Sequence, residues 1–308
     1  MVAFIFPGQG SQYVGMGKDL YEAFPESKAI FDAADSILGF ALTKLCFEGP
    51  SEELTKTQNC QSAILTVSIA ALKAFQSSTV QQPINLTYTA GLSLGEYSAL
   101  VASGVFNFEE ALCLVHKRAE LMEEATKKYP GKMAAVLGLE PKVLEDICAK
   151  TEAEIANLNC PGQIVISGHA EAMEKAKALA LEHGAKRVID LEVSGAFHSS
   201  LMKKAAEQFR DYLAVFTLKD ALLPVISNVT AKPQSEVSGI KENLFRQIYS
   251  PVRWEDSVRF MAGQGVSAFY EIGPGSVLKG LIRKIDSSLE VKNIGSVKDI
   301  QKGGNDVP

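Results

Sequence analysis

The sequence has little of what would mark a metal protein, a disulfide scaffold or a nucleic-acid binder. Its five cysteines, Cys46, Cys60, Cys113, Cys148 and Cys160, form no Cys-x-x-Cys pair and no short metal-ligand spacing. An odd, scattered set fits buried free thiols in a reducing compartment. The net charge of −5 excludes the global basic field that nucleic-acid binders carry. No apolar run is long enough to span a bilayer, and the opening run Val2-Ala-Phe-Ile-Phe6 lacks the positive flank and length of a signal peptide. A core strand in a cytoplasmic protein is the expectation. Internal repeats and low-complexity segments are absent. Histidines number only four, so elimination among them has force.

What is present is an ordinary globular composition, 46% hydrophobic and 22% charged over 308 residues. That length allows one large domain, or one domain carrying an insertion. The chemistry concentrates in one stretch. Ile84–Ala90 is rich in β-branched and aromatic residues behind Gln82-Pro83 and reads as a buried strand. Glu96–Ser103 has apolar residues at helical spacing. Between them Gly91-Leu-Ser-Leu-Gly95 has the Gly-x-Ser-x-Gly form of a nucleophile elbow, a sharp turn presenting a serine hydroxyl at its tip. Such pentapeptides also arise by chance in a glycine-rich chain; the flanking strand and helix favour the elbow. Ser93 is the candidate nucleophile.

Earlier in the chain, Phe6-Pro-Gly-Gln-Gly-Ser-Gln12 bends sharply and leaves backbone amides free to hold an anion or oxyanion. A plain strand-to-helix turn explains its glycines but not Gln9 and Gln12. A phosphate loop is excluded, since no Gly-Lys-Ser/Thr ending follows. Helices are expected over Tyr13–Phe24, Ser27–Ile37 and Gln61–Phe75, with Ser77–Pro83 a polar connector. Phe108–Ala125 is a further helix, whose apolar stripe is interrupted by Arg118. An arginine there ordinarily packs its stem and reaches water. Alternatively it points into a cleft and pairs a ligand carboxylate, for which its planar fork is suited. Spacing alone slightly favours the first.

From Lys132 the texture changes to strand, helix, strand, strand, helix, strand, ending near Val193. That is the split-βαβ order of a ferredoxin-like unit. Tyr129-Pro-Gly131 and Ser194-Gly195 are plausible hinges. Strands then alternate with helices again: Leu223–Ser227, Trp254–Met261, Ser267–Ile272 and Val277–Ile285. The expected architecture is a large α/β-hydrolase-like domain, 1–128 and 195–308, with a mostly parallel sheet. The small ferredoxin-like subdomain, 129–194, is inserted in it. The tail after Val297 is expected to fray.

A serine needs a base, and histidine is the usual one near neutral pH. His183 precedes Gly184 at a helix end and reads as a cap; His169 starts a helix in the insertion; His116 lies on a different helix face from Arg118. His198, in the loop Gly195-Ala-Phe-His-Ser-Ser200, remains as the base. The hydrolase order serine, acid, histidine nominates Asp190, which falls inside a strand of the insertion. A backbone carbonyl orienting the imidazole, with Asn228 one candidate, makes a Ser–His dyad the better reading. A serine hydrolase or a non-catalytic binding module would carry the same elbow.

With these residues in place, the chain resembles the malonyl-CoA:acyl carrier protein transacylases, acyltransferases that load malonyl units for fatty-acid synthesis. The resemblance rests on Phe6–Gln12, Gly91-Leu-Ser-Leu-Gly-Glu-Tyr97, Lys117-Arg118, Ala196-Phe-His-Ser199, Ser227-Asn228, Gln247 before Ser250-Pro251, and Glu271-Ile-Gly-Pro-Gly275, all in family order. It implies a malonyl ester on Ser93 with His198 as base. It also implies an Asn228 main-chain carbonyl orienting His198, and an oxyanion hole from the amides of Gln9 and Leu94. Arg118 would grip the malonyl carboxylate, with Gln247 beside it in substrate binding. Ala196-Phe197-His198 is similar to the form associated with malonyl rather than methylmalonyl groups. Leu92 departs from the family, where a second histidine is common. The implied partners are malonyl-CoA and an acidic, phosphopantetheinylated acyl carrier protein. No metal, cofactor, nucleic acid or membrane is implied, and a monomer is expected. Lys203, Lys204, Lys279, Arg283 and Lys284 are candidates for carrier docking, or simply solvated helix faces.

Overall fold

In the computed structural model, which describes residues 1–78 and 84–303, Val2–Phe6 becomes strand β1 inside a six-stranded sheet. Its side chains alternate between two cores. Phe4 and Phe6 join a cluster with the helices Thr57–Ser78 and Phe108–Lys128. Ala3 and Ile5 join another with Trp254–Gly263 and Val277–Ile285. A strand covered on both faces needs apolar residues throughout, which is why this run shows no polar alternation.

The other strands are β2 (Leu86–Gly91), β3 (Gly131–Leu137), β4 (Glu154–Cys160), β5 (Gln163–His169), β6 (Arg187–Asp190), β7 (Val225–Ile226), β8 (Pro233–Gln234), β9 (Ala268–Ile272) and β10 (Glu290–Ile294). The large sheet runs β10-β9-β1-β2-β7-β8, parallel except for β7 with β8. A second sheet, β4-β5-β3-β6, is antiparallel and shares its own core with the helices Pro141–Thr151 and Ala170–Glu182. The architecture is therefore α/β-hydrolase-like, with an inserted ferredoxin-like βαββαβ unit.

Backbone ties the second sheet to the segment just before the helix Trp254–Gly263. The edge strand β4 bonds to Val252: Leu158 N–H donates to its carbonyl at 2.9 Å, and Val252 N–H donates to Ala156 O at 2.8 Å. The Glu154 carboxylate accepts from Ser200 N–H at 2.9 Å and from its hydroxyl at 2.6 Å, two residues past His198. Among the described residues, no helix is long and apolar enough to cross a membrane.

Several elements differ from expectation. The helix expected over Tyr13–Phe24 is only Lys18–Ala23, because Gly15 and Gly17 take left-handed backbone at φ 98° and 75°. Strand β6 stops at Asp190; Leu191–Val193 leaves the sheet to line a cavity. Of the tail, Val297–Gly303 is a helix whose first N–H donates to Asp19 at 2.8 Å and whose Ile300 is buried, while residues 304–308 lie outside the described residues. Strand β10 buries only Val291 and Ile294, and the helix Val237–Gln247 has Val237, Ile240 and Leu244 at helical spacing but carries Gly239 among them, which weakens the pattern. The Gln82-Pro83 boundary and most of the connector before it lie outside the described residues.

Candidate active site

Strand β2 ends at Gly91, the helix Gly95–Ala102 begins four residues later, and Ser93 occupies the bend at φ 51°. A non-glycine residue there is strained, and it is held because the turn packs against backbone. A Cβ on Gly95 would stand 2.1 Å from Phe6 O, and one on Gly8 would stand 2.3 Å from Leu92 O. The glycines thus let the loop after β1 lie directly on the serine turn. Gly95→Ala is expected to cost at least the about 1–3 kcal/mol of ordinary overpacking, since its obstacle is main chain. A denaturant midpoint equal to that of the parent would refute this.

The Ser93 hydroxyl lies 2.8 Å from His198 Nε2, and His198 Nδ1 lies 2.8 Å from Gln247 O. A carbonyl only accepts, so Nδ1 carries the hydrogen and Nε2 is free to accept from the serine. Burial, and then the charge of Arg118, pull the imidazole down to about 4, so the ring is neutral at neutral pH. The other histidines stand apart from this pair. His183 bonds the Leu179 carbonyl, His169 begins the helix Ala170–Glu182, and His116 contacts Ser62. Asp190 pairs with Lys177 at 2.9 Å.

The expectation for Asn228 is corrected. Its main-chain carbonyl accepts from Arg253 N–H at 2.9 Å, not from His198. Its side chain instead staples the turn: Oδ1 accepts from Ser93 N–H at 2.7 Å, and Nδ2 donates to Gly91 O at 2.7 Å. The reason is topological. Strand β7 lies beside β2 and delivers Asn228 to the nucleophile turn, whereas the end of the helix Val237–Gln247 brings a carbonyl left without an intrahelical partner to the imidazole.

Gln247 lies behind the cavity and is not among the residues that line it. It is fully buried, and its amide is consumed inside the protein. Oε1 accepts from Arg118 at 3.1 Å; Nε2 donates to Ser93 O at 2.9 Å and to Glu96 Oε2 at 2.6 Å. A donating guanidinium at one end and the Ser93 carbonyl and Glu96 carboxyl oxygen accepting at the other fix which way the amide points. Glu96 accepts further bonds from Asn228 N–H at 3.2 Å and Gln234 Nε2 at 2.9 Å. Burial pushes its carboxyl up to about 7 despite those donors.

Arg118, 1% exposed, takes the cleft-facing position. Its Nη1 donates to Gln61 Oε1 at 2.6 Å and its Nη2 to the Ser93 hydroxyl at 3.1 Å, while Nε has no hydrogen-bond partner among the described residues. Burial lowers its pKa, yet a guanidinium stays protonated. Tyr97 offers its ring 5.6 Å from the guanidinium carbon. The amides of Gln9 and Leu94 donate to no protein acceptor among the described residues, and both residues line the cavity with Ser93. Gln12 accepts from Gly10 N–H at 2.8 Å and so shapes the loop that carries Gln9.

The cavity holds about 360 Å³. Its lining mixes polar side chains, among them Gln9, Gln61, Ser93, Arg118, Glu192 and His198, with apolar ones, Leu92, Met122, Met133, Leu191, Val193 and Phe197. Among the described residues no three His, Cys, Asp or Glu side chains are grouped to hold a metal. The arrangement can carry an acyl group on oxygen: a nucleophile, a neutral base, free amides and a cation share one pocket.

A family model described as an acyl transferase domain matches residues 3–307. The chain belongs to the acyl transferase family. It is 50% identical to the malonyl CoA-acyl carrier protein transacylase of Bacillus subtilis (strain 168), over 97% of this chain and 95% of the relative. The crystal structure of the acyl-carrier-protein-S-malonyltransferase of Bartonella henselae superposes with a TM-score of 0.94 at 38% identity, covering 98% of each chain. A malonyl-transacylase in complex with a type II PKS acyl-carrier protein matches with a TM-score of 0.95 at 37% identity, covering 99% of each chain.

In this acyl transferase the structure gathers Ser93, His198, Gln9, Leu94 and Arg118 around one cavity, and sets Gln247 and Asn228 behind it. Sequence reasoning missed Glu96 and Gln61. Their signals were a carboxylate directly after the second elbow glycine, and an amide at the start of an otherwise apolar helix.

Proposed function

We propose that this acyl transferase moves a malonyl group from malonyl-CoA to the phosphopantetheine thiol of acyl carrier protein, supplying extender units for fatty-acid synthesis. The observation that carries the reading is a buried guanidinium 3.1 Å from the nucleophile that forms no ion pair with a carboxylate among the described residues. A charge left unpaired in a closed site calls for an anionic ligand. A malonyl thioester brings a carboxylate two bonds beyond the carbonyl that Ser93 attacks. The names of the relatives point the same way.

In the first half-reaction His198 Nε2 takes the Ser93 proton as the oxygen bonds to the thioester carbon. The tetrahedral oxyanion rests on the amides of Gln9 and Leu94, each typically worth about 3 kcal/mol of barrier. The carbon–sulfur bond breaks, and coenzyme A leaves with the proton from His198. The carrier thiol then attacks the malonyl-serine by the same steps in reverse, giving ping-pong kinetics. Here the segment 129–194 acts as one unit over the cavity, and 1–128 with 195–308 forms the catalytic domain. The carrier docks by charge on Lys203, Lys204, Arg283 and Lys284, all exposed, and on Lys279, half-buried.

Intact-mass spectrometry after mixing with malonyl-CoA tests the reading. The protein should gain one malonyl group on Ser93 and lose it when carrier protein is added. An unmodified mass, or a modified Ser93→Ala variant, would overturn it.

The base sets the pH dependence. With its folded value near 4, His198 stays unprotonated far below the ordinary imidazole range. The acid limb of kcat/KM should therefore break near pH 4. Between the ordinary imidazole value and about 4 the unfolded chain binds a proton that the folded one refuses, so this group's contribution to stability falls as the pH drops. An acid limb centred at the ordinary imidazole value would show that another group, or a less buried ring, is titrating.

A further inference from the structure

Arg118 is held by neutral groups. Its Nη1 donates to Gln61 Oε1 at 2.6 Å, and its Nη2 donates to Gln247 Oε1 and the Ser93 hydroxyl, each at 3.1 Å. None of the ion pairs among the described residues includes it. The nearest acid in this network, Glu96, reaches it only through the amide of Gln247. Buried arginines ordinarily sit against a carboxylate, because an unpaired charge is costly to keep out of water.

Gln61 makes the shortest of these contacts. It is 1% exposed on the helix Thr57–Ser78 and borders the cavity. Its Nε2 faces Met122 Sδ at 3.8 Å, a weak acceptor. Reversing the amide would press an N–H₂ group against the guanidinium, so the carbonyl oxygen is locked toward Arg118. A glutamate would fit the same space, give the same contact and cancel the charge.

We propose that Gln61 is a specificity-determining positioning residue, fixing the guanidinium through an uncharged oxygen so that its positive charge stays available to the carboxylate of the incoming acyl group. The inference rests on the malonyl reading above and names the residue that keeps that site selective. With glutamate at this position the enzyme carries its own anion, which repels malonyl and leaves an uncharged acetyl group unopposed.

The test compares kcat/KM for malonyl-CoA and acetyl-CoA in the full-length parent, Gln61→Glu and Gln61→Met, with thermal melting to verify the fold. Gln61→Glu should lower the malonyl-to-acetyl ratio by about 100-fold, through loss of malonyl and retention or gain of acetyl transfer. Gln61→Met keeps the bulk and removes the oxygen. It should raise KM for malonyl-CoA about 10-fold, change kcat less, and leave acetyl transfer within about 3-fold. A folded Gln61→Glu with the parental ratio overturns the proposal. So does a Gln61→Met that loses both substrates in equal measure, since that is the mark of a merely structural role. If the parent itself forms no malonyl-serine, the malonyl reading fails; a parent that acylates normally beside an unchanged Gln61→Glu ratio sinks only the role of Gln61.

Discussion

Ser93→Ala should remove acyl-enzyme formation completely and lower malonyl transfer by about 10⁴-fold or more. The variant loses the atom that forms the ester, and nothing adjacent replaces it. The Arg118 and His198 contacts to that hydroxyl would be left facing water or each other. His198→Ala should fall by a comparable factor, and the double variant little further, because the two side chains act as one unit through a single 2.8 Å hydrogen bond. Single-turnover measurements on the three variants decide the matter. Losses that simply multiplied would mean that serine and histidine work independently.

Arg118→Ala should change selectivity more than speed. A hydrogen bond to a charged group is worth about 1.5–3 kcal/mol, so kcat/KM for malonyl-CoA should fall about 10- to 150-fold while acetyl-CoA keeps most of its rate. The substitution also frees the acceptors of Gln61 and Gln247, so some loss of stability should accompany it. Arg118→Lys should rescue only partly, because one ammonium cannot replace the fork that reaches Gln61, Gln247 and Ser93 together. Competition between the two thioesters in one reaction gives the ratio directly. An unchanged ratio would remove Arg118 from substrate recognition.

Much of the frame was legible because local chemistry and tertiary demand agree there. Val2–Phe6 is apolar at every position and is buried on both faces. The βαββαβ order of the insertion follows from alternating short strands and helices with clear turns between them. Elements that contact the core at a few residues, such as Glu290–Ile294, left no comparable pattern. Around the serine, the groups at motif positions were found; of their supporters, Asn228 was named with a different contact and Gln247 without its hydrogen bonds, and Glu96 and Gln61 were missed. Which carbonyl meets His198 depends on where the helix Val237–Gln247 ends in space, and sequence order cannot say whether that helix or β7 arrives closer. The same holds for Gln61. Its partner lies fifty-seven positions away on another helix, and only packing brings the two together.

The bond from His198 Nδ1 ends on a main-chain oxygen rather than on a side chain. No codon change can delete that oxygen, since all twenty amino acids supply it. A survey of alanine variants would therefore count two members in this proton relay and overlook the third. Mutation can reach it only by bending the end of the helix that carries it, which puts the direction of the imidazole under the guard of backbone geometry.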